Sequence, residues 1–161
     1  MKFLRDIQVG EQAVVGAYTF TAENIVSFAR RYDPQPFHLS EEAAAKTHFR
    51  HLCASGWHTA SAWMGLMVAY RKAETEAQIA RGERIPESGV GAGLRDLQWI
   101  RPVYVGDVVT YTTEVVEARA SASRPGWGVI GTRATGVNQK GEPVISFISV
   151  GFLQWAPPGA N

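Results

Sequence analysis

Cysteine is almost missing from this chain: Cys53 is the single one among 161 residues. A framework of internal disulfides is therefore excluded, and a reducing compartment fits. Excess charge is missing too. Sixteen Lys and Arg stand against fifteen Asp and Glu, for a net charge of +1. That balance gives no electrostatic footprint for nucleic acid or an anionic membrane surface. No apolar run approaches the roughly 20 residues that span a bilayer. The N-terminal MKFLRDIQVGEQ meets charges too early for the apolar core of a signal peptide. Internal repeats and low-complexity tracts are absent, as are HExxH and CxxC metal patterns. Together these gaps lead us to expect one domain over residues 1–161, cytoplasmic, with no metal, nucleic-acid partner or membrane. Pro157 to Asn161 read as a frayed tail.

What is present is enough to build a core: 45% hydrophobic residues, 11% aromatic ones and five tryptophans. QAVVGAYTF, residues 12–20, alternates loosely and predicts a strand. Thr21 is placed to cap a helix, with Glu23 in its first turn. Ile25, Phe28, Ala29 and Tyr32 then fall on one helical face. Asp33-Pro34 ends that helix, because a proline pushes the residue before it out of the helical region. Ser40, Glu41 and Glu42 open a short alanine-rich helix. A long helix is predicted from Gly56 towards Gly82. Its first half, to about Tyr70, is apolar or small on nearly every face, which predicts burial on all sides. Gly56, Ala60, Ala62, Gly65 and Ala69 would allow close packing against it. Its second half, with Arg71, Lys72, Glu74, Glu76 and Arg81, is polar.

From Gly89 the apolar period changes to two. GLRDLQWIRPV, DVVTYTTEVVEARA, GWGVIGTRATGVNQ and PVISFISVGFLQW are strand candidates. The alternation runs through Val109, Tyr111, Thr113 and Val115, and again through Val144, Ser146, Ile148, Val150 and Phe152. Turn signals separate them at 104–107, 121–126 and 138–142. Consecutive strands with short turns imply an antiparallel sheet. The expected class is α+β, a curved sheet wrapped around one long helix, with edges on which two copies could pair.

The stretch RYDPQPFHLSEEAA places Asp33 and His38 five residues apart with Pro34 and Pro36 between them. Proline fixes φ and lowers the entropy of such a link. A histidine is the usual acid or base near neutral pH, and a carboxylate beside it can orient it or share the proton transfer. The same spacing also suits an ordinary helix-to-helix turn. CASGW, residues 53–57, offers a serine cap and then a glycine at a helix start. That end of a helix carries free N–H donors and partial positive charge, which suits a developing oxyanion. A plain N-cap would look the same. Taken together, the two elements suit chemistry on a carbonyl compound.

Tyr32-Asp33-Pro34-Gln35-Pro36-Phe37-His38, the segment FRHLCASGW at 49–57, and Leu97 to Val103 with Gly106-Asp107 resemble the MaoC-like dehydratases, close to the (R)-specific enoyl-CoA hydratases. The resemblance implies a hot-dog fold, an antiparallel β-sheet wrapped around a long central α-helix, in a homodimer or a higher oligomer of dimers. It implies reversible hydration of a trans-2-enoyl-CoA to a 3-hydroxyacyl-CoA, with acyl-CoA as substrate and no cofactor. Asp33 and His38 would activate the water and move protons, and the Gly56 N–H would hold the thioester oxygen. Two positions depart from the pattern. Gln35 stands where asparagine is usual, and Ser55 where a histidine is often found before the glycine. Trp57, Trp63, Met64 and Met67 fit either an acyl pocket or plain core.

Other motifs carry less. Gly89-Val90-Gly91-Ala92-Gly93 lacks the strand before and helix after that a dinucleotide site requires, and reads as a flexible lead into a strand. Cys53 reads as a small buried residue rather than a nucleophile. His48, His51 and His58 show no metal-binding spacing. Arg71, Lys72, Arg101 and Arg124 are read as solvated. A thioesterase and a non-catalytic acyl-CoA-binding protein remain the rival readings.

Overall fold

A computed structural model of the chain describes residues 2–157. The expected tail therefore lies almost wholly outside the described residues. A 3-10 turn at Leu4–Asp6 leads into β1 (Gln12–Thr19), then α1 (Ala22–Tyr32), α2 (Pro36–Leu39), α3 (Glu41–Ala45) and the long α4 (Gly56–Ala80). Four strands follow: β2 (Ser88–Trp99), β3 (Val108–Ala120), β4 (Trp127–Val137) and β5 (Pro143–Gln154). They form one antiparallel sheet in the order β1-β3-β4-β5-β2. This is the hot-dog arrangement, with α4 as its central helix.

The order corrects one simple expectation. β2 and β3 are consecutive, yet the turn at 104–107 does not make them hairpin neighbours. β2 crosses to the far edge and pairs with β5, while β3 pairs with β1 and β4. The segment before α4 is stitched to this crossover. The Ala54 N–H donates to the Val103 carbonyl at 2.8 Å, and Cys53 bridges Tyr104. The start of α4 is thereby fixed to the sheet.

α1 begins with a capping box: Thr21 Oγ1 accepts the Asn24 N–H, and the Asn24 side chain accepts the Thr21 N–H. Ile25 and Ala29 are buried as its face predicts, but Tyr32, at the end of the helix, is 67% exposed. α4 lies on the concave face of the sheet. Ala62, Trp63 and Met67 join Tyr111, Ile145 and Phe147 in the core, and the Trp63 ring meets Phe147 edge-on at 4.8 Å. Tyr111 donates its hydroxyl to the Thr59 carbonyl at 2.9 Å, tying sheet to helix. Gly16 lets Leu66 approach β1, since a Cβ there would meet Leu66 Cδ2 at 2.9 Å.

Burial of the first half of α4 on all sides is not what the structure shows. Trp57, Met64 and Val68 are about half exposed or more. Gly65 and Ala69 are exposed too, and a Cβ at Gly65 would meet nothing. Part of the apolar surface of α4 therefore stays uncovered within a single chain. The glycine run 89–93 is also corrected. It is strand rather than a lead into strand, held on β5 through register shifts at Gly91 and Gly93. β5 is apolar on both faces, so alternation alone misjudged it. Ile145, Phe147 and Leu153 are buried, while Ile148, Val150 and Phe152 are only half-buried.

Candidate active site

α1 ends where it does because Asp33 precedes Pro34. Asp33 leaves helical geometry at φ −154°, ψ 70°, and its N–H still closes the helix on the Ala29 carbonyl. The chain then does more than turn. Pro36 opens the one-turn helix α2 from its first position, where a missing N–H costs nothing, and the His38 N–H donates to the Gln35 carbonyl. The second proline thus starts a helix that carries His38 inward, where it is 5% exposed. A sequence reading that treats 33–39 as a loop misses this element.

The two sequence-predicted side chains do meet. His38 Nε2 lies 3.5 Å from Asp33 Oδ2. Nδ1 of the same ring is 2.8 Å from the Cys53 carbonyl oxygen, which can only accept, so Nδ1 carries the hydrogen. In the neutral ring Nε2 then keeps its lone pair and faces the carboxylate. Asp33 is bound on both oxygens. Gln35 Nε2 donates to Oδ1 at 2.8 Å, and the Ser55 hydroxyl donates to Oδ2 at 2.6 Å. Partial burial pushes the Asp33 carboxyl up, but these two bonds and the nearby imidazole outweigh it and hold the group below its usual value.

Gly56 is the third predicted residue, and it stands one position beyond Ser55 at the start of α4. Ser55 Oγ accepts the Trp57 N–H at 3.2 Å, and the Ser55 carbonyl accepts from His58 and Thr59. Among the described residues the Gly56 N–H finds no acceptor. A Cβ at Gly56 would stand 2.5 Å from the Trp99 indole, so the glycine is required by close approach. Trp99 itself is a site neighbour that sequence reasoning did not single out. Its indole meets that of Trp57 edge-on at 5.2 Å. The one available signal was its place in the strand motif, which says nothing about where the ring packs.

Cys53 is buried, and burial pushes its thiol up to about 11, so it stays protonated. Its contribution to the site is the backbone carbonyl that holds His38. The three other histidines do not converge. His51 pairs with Glu41 on the surface, His48 lies against Phe49, and His58 is enclosed by aromatic rings. No group of three His, Cys, Asp or Glu side chains able to hold a metal exists among the described residues. Arg124 lies over the Trp127 ring, and Arg101 donates to the Pro143 carbonyl. A cavity of about 600 Å³ between the sheet and the second half of α4 is lined by Trp63, Met67, Arg71, Thr132 and Phe152, and touches none of Asp33, His38 or Gly56. No helix among the described residues is long and apolar enough to cross a membrane.

The fold agrees with what known proteins show. A family model described as MaoC like domain matches residues 8–138, and the chain belongs to that family. A MaoC-like dehydratase from Rhodospirillum rubrum has a similar structure, with TM-score 0.80 and 33% identity over 98% of this chain and 99% of that one. The 3-hydroxybutyryl-CoA dehydratase of Methylorubrum extorquens is 31% identical over 116 residues, which are 71% of this chain and 64% of that protein. An (R)-hydratase from A. caviae shares the fold at TM-score 0.63 and 24% identity, covering 94% of this chain and 99% of that one.

Proposed function

We propose that this protein is a hydro-lyase that adds water reversibly to a trans-2-enoyl-CoA, giving a 3-hydroxyacyl-CoA. The observation that carries the reading is the approach of His38 Nε2 to Asp33 Oδ2, 3.5 Å apart beside the open first turn of α4. Hydration breaks the C2=C3 π bond, joins the water oxygen to C3 and delivers a proton to C2. The unprotonated Nε2 takes a proton from the water, and the Asp33 carboxylate holds the water and the charge that appears on the ring. The proton on His38 is then the one available to C2. As oxygen attacks C3, charge moves to the thioester oxygen, where the Gly56 N–H acts most in the transition state. No cofactor enters this scheme, since CoA belongs to the substrate. The same reading places the protein in the cytoplasm, where acyl-CoA esters are made and used.

A homodimer belongs to this proposal. β2 is a sheet edge with Val90, Leu94 and Trp99 exposed, and it adjoins the uncovered Trp57, Met64 and Val68 of α4. An open edge beside an apolar helix face fits a second copy of the chain, singly or as a dimer within a higher oligomer.

The test is crotonyl-CoA with purified protein, read as loss of conjugated-thioester absorbance, with a thiol reagent in a parallel well. Absorbance loss without free thiol is expected. Release of free CoA would move the reading to a thioesterase. Silence with crotonyl, branched and dicarboxylic thioesters alike would leave an acyl-CoA-binding protein.

A further inference from the structure

We infer that Ser55 is the positioning residue for Asp33, joining the carboxylate to the start of the central helix. This inference rests on the hydration reading for its kinetic consequence, but not for its structural content. Ser55 and Asp33 are 22 residues apart in the chain and meet at 2.6 Å. Asp33 closes α1 and Ser55 opens α4, so their bond locks two helix ends together.

The hydroxyl is used on both sides. Its oxygen accepts the Trp57 N–H, which leaves its own hydrogen free for Asp33 Oδ2. A simple N-cap needs only the first bond. The second bond is the shorter, and it points into the site. Ser55 is 1% exposed, so the hydroxyl is held away from bulk solvent. Gln35 holds the other carboxylate oxygen from the opposite side of the motif. With both oxygens bound, Asp33 cannot rotate freely, and Oδ2 stays turned towards His38.

The arrangement also divides the labour within the pair. A carboxylate that already accepts two strong bonds is a poor proton acceptor and a good fixed charge. His38, tied through Nδ1–H, turns Nε2 towards Asp33 Oδ2, 3.5 Å away. The titratable groups that face Asp33 are few. His38 approaches from α2, and beyond its ring lies the protonated Cys53 thiol, 3.7 Å from Nδ1. Removing the Ser55 donor therefore raises the pH at which Asp33 ionises.

The experiment compares Ser55→Ala, Ser55→Gly and Ser55→Thr with the wild type. Glycine is tolerated at a helix start, so Ser55→Gly removes the hydroxyl with little loss of the cap. Two readouts are taken. The first is the ¹³C titration of the Asp33 carboxyl, which needs no activity. Asp33 is expected to titrate below 3.8 in the wild type and higher in Ser55→Gly and Ser55→Ala, with Ser55→Thr close to the wild type. The second is the pH profile of kcat/KM in the hydration assay. In the same two variants kcat should be lower by about ten- to a hundredfold with KM little changed, and the loss should deepen at the low-pH end of the profile, where Asp33 would protonate sooner than in the wild type. An Asp33 titration unmoved in Ser55→Gly overturns the inference. A wild type inactive on every thioester, with Asp33 titrating as expected, defeats the hydration reading and leaves the inference standing.

Discussion

His38 and His58 are equally buried, at 5% and 4% exposure, and they occupy opposite kinds of surroundings. His38 has a polar partner for each ring nitrogen, a carbonyl behind it and a carboxylate before it. His58 stacks on Phe28 at 4.6 Å with the planes 5° apart, and Phe20 and Tyr18 meet it edge-on. Its Nε2 is 3.3 Å from the Tyr18 hydroxyl, and its Nδ1 has no partner among the described residues. Burial pushes His58 down to about 4, so it is neutral at ordinary pH and packs as an aromatic ring. The pair shows that depth alone does not decide an imidazole's surroundings. What matters is whether its charged form has a counter-charge and its free nitrogen has somewhere to send a proton.

The largest effects should fall on one side of this comparison. Asp33→Asn and His38→Ala are expected to lower kcat by about 10³-fold or more, within the range or beyond it for loss of a general acid or base. His58→Leu should leave kcat within a few-fold of the wild type. Steady-state kinetics on a turned-over thioester, with circular dichroism to confirm folding, would decide it. An inactive, folded His58→Leu would end the contrast. Gly56→Ala comes next, with a loss of about 10²-fold expected, of the size found for a displaced oxyanion donor. The new methyl group meets the Trp99 indole at 2.5 Å, so the indole or the first turn of α4 must move. Trp99→Ala in the same chain removes that clash. Recovery of at least tenfold in the double variant would show that the steric term dominates.

The legible parts of this molecule were those written in short-range pattern. Thr21, Ser40 and Ser55 announce their helices through caps, and Val109, Tyr111, Thr113 and Val115 announce β3 by strict alternation. Asp33, His38 and Gly56 stood out because prolines and a glycine punctuate them. The missed features depend on distant partners. The crossing of β2 to the far edge is a choice among pairings that no local pattern encodes. The exposed side of α4 reads as core in sequence because apolar residues look alike whether the sheet covers them or not. The Cys53 carbonyl that orients His38 is backbone, and every residue has one. Gln35 was visible only as a departure from a family pattern, and Ser55 as such a departure and as a helix cap; their shared hold on Asp33 appears only when α1 and α4 are brought together.

The comparison can be sharpened through stability against pH, because the two regions titrate in separate windows. His58 is depressed from 6.5 to about 4 in the folded chain. Above 6.5 it is neutral folded or unfolded and the full stability is present. As pH falls from 6.5 towards 4, the unfolded chain gains a proton that the folded chain refuses, and stability is lost by up to about 3 kcal/mol. Asp33 is also depressed, but from 3.8, so its contribution is intact above that value and fades only at lower pH. Urea unfolding of wild type and His58→Leu at intervals from pH 7.5 to 4 isolates the first term, since all other groups cancel in the difference. The wild type should lose ground to His58→Leu steadily below 6.5, and Asp33→Asn should follow the wild type through the same interval. Parallel curves for wild type and His58→Leu would mean that the aromatic enclosure opens to admit the charged ring, and that His58 is less unlike His38 than its walls imply.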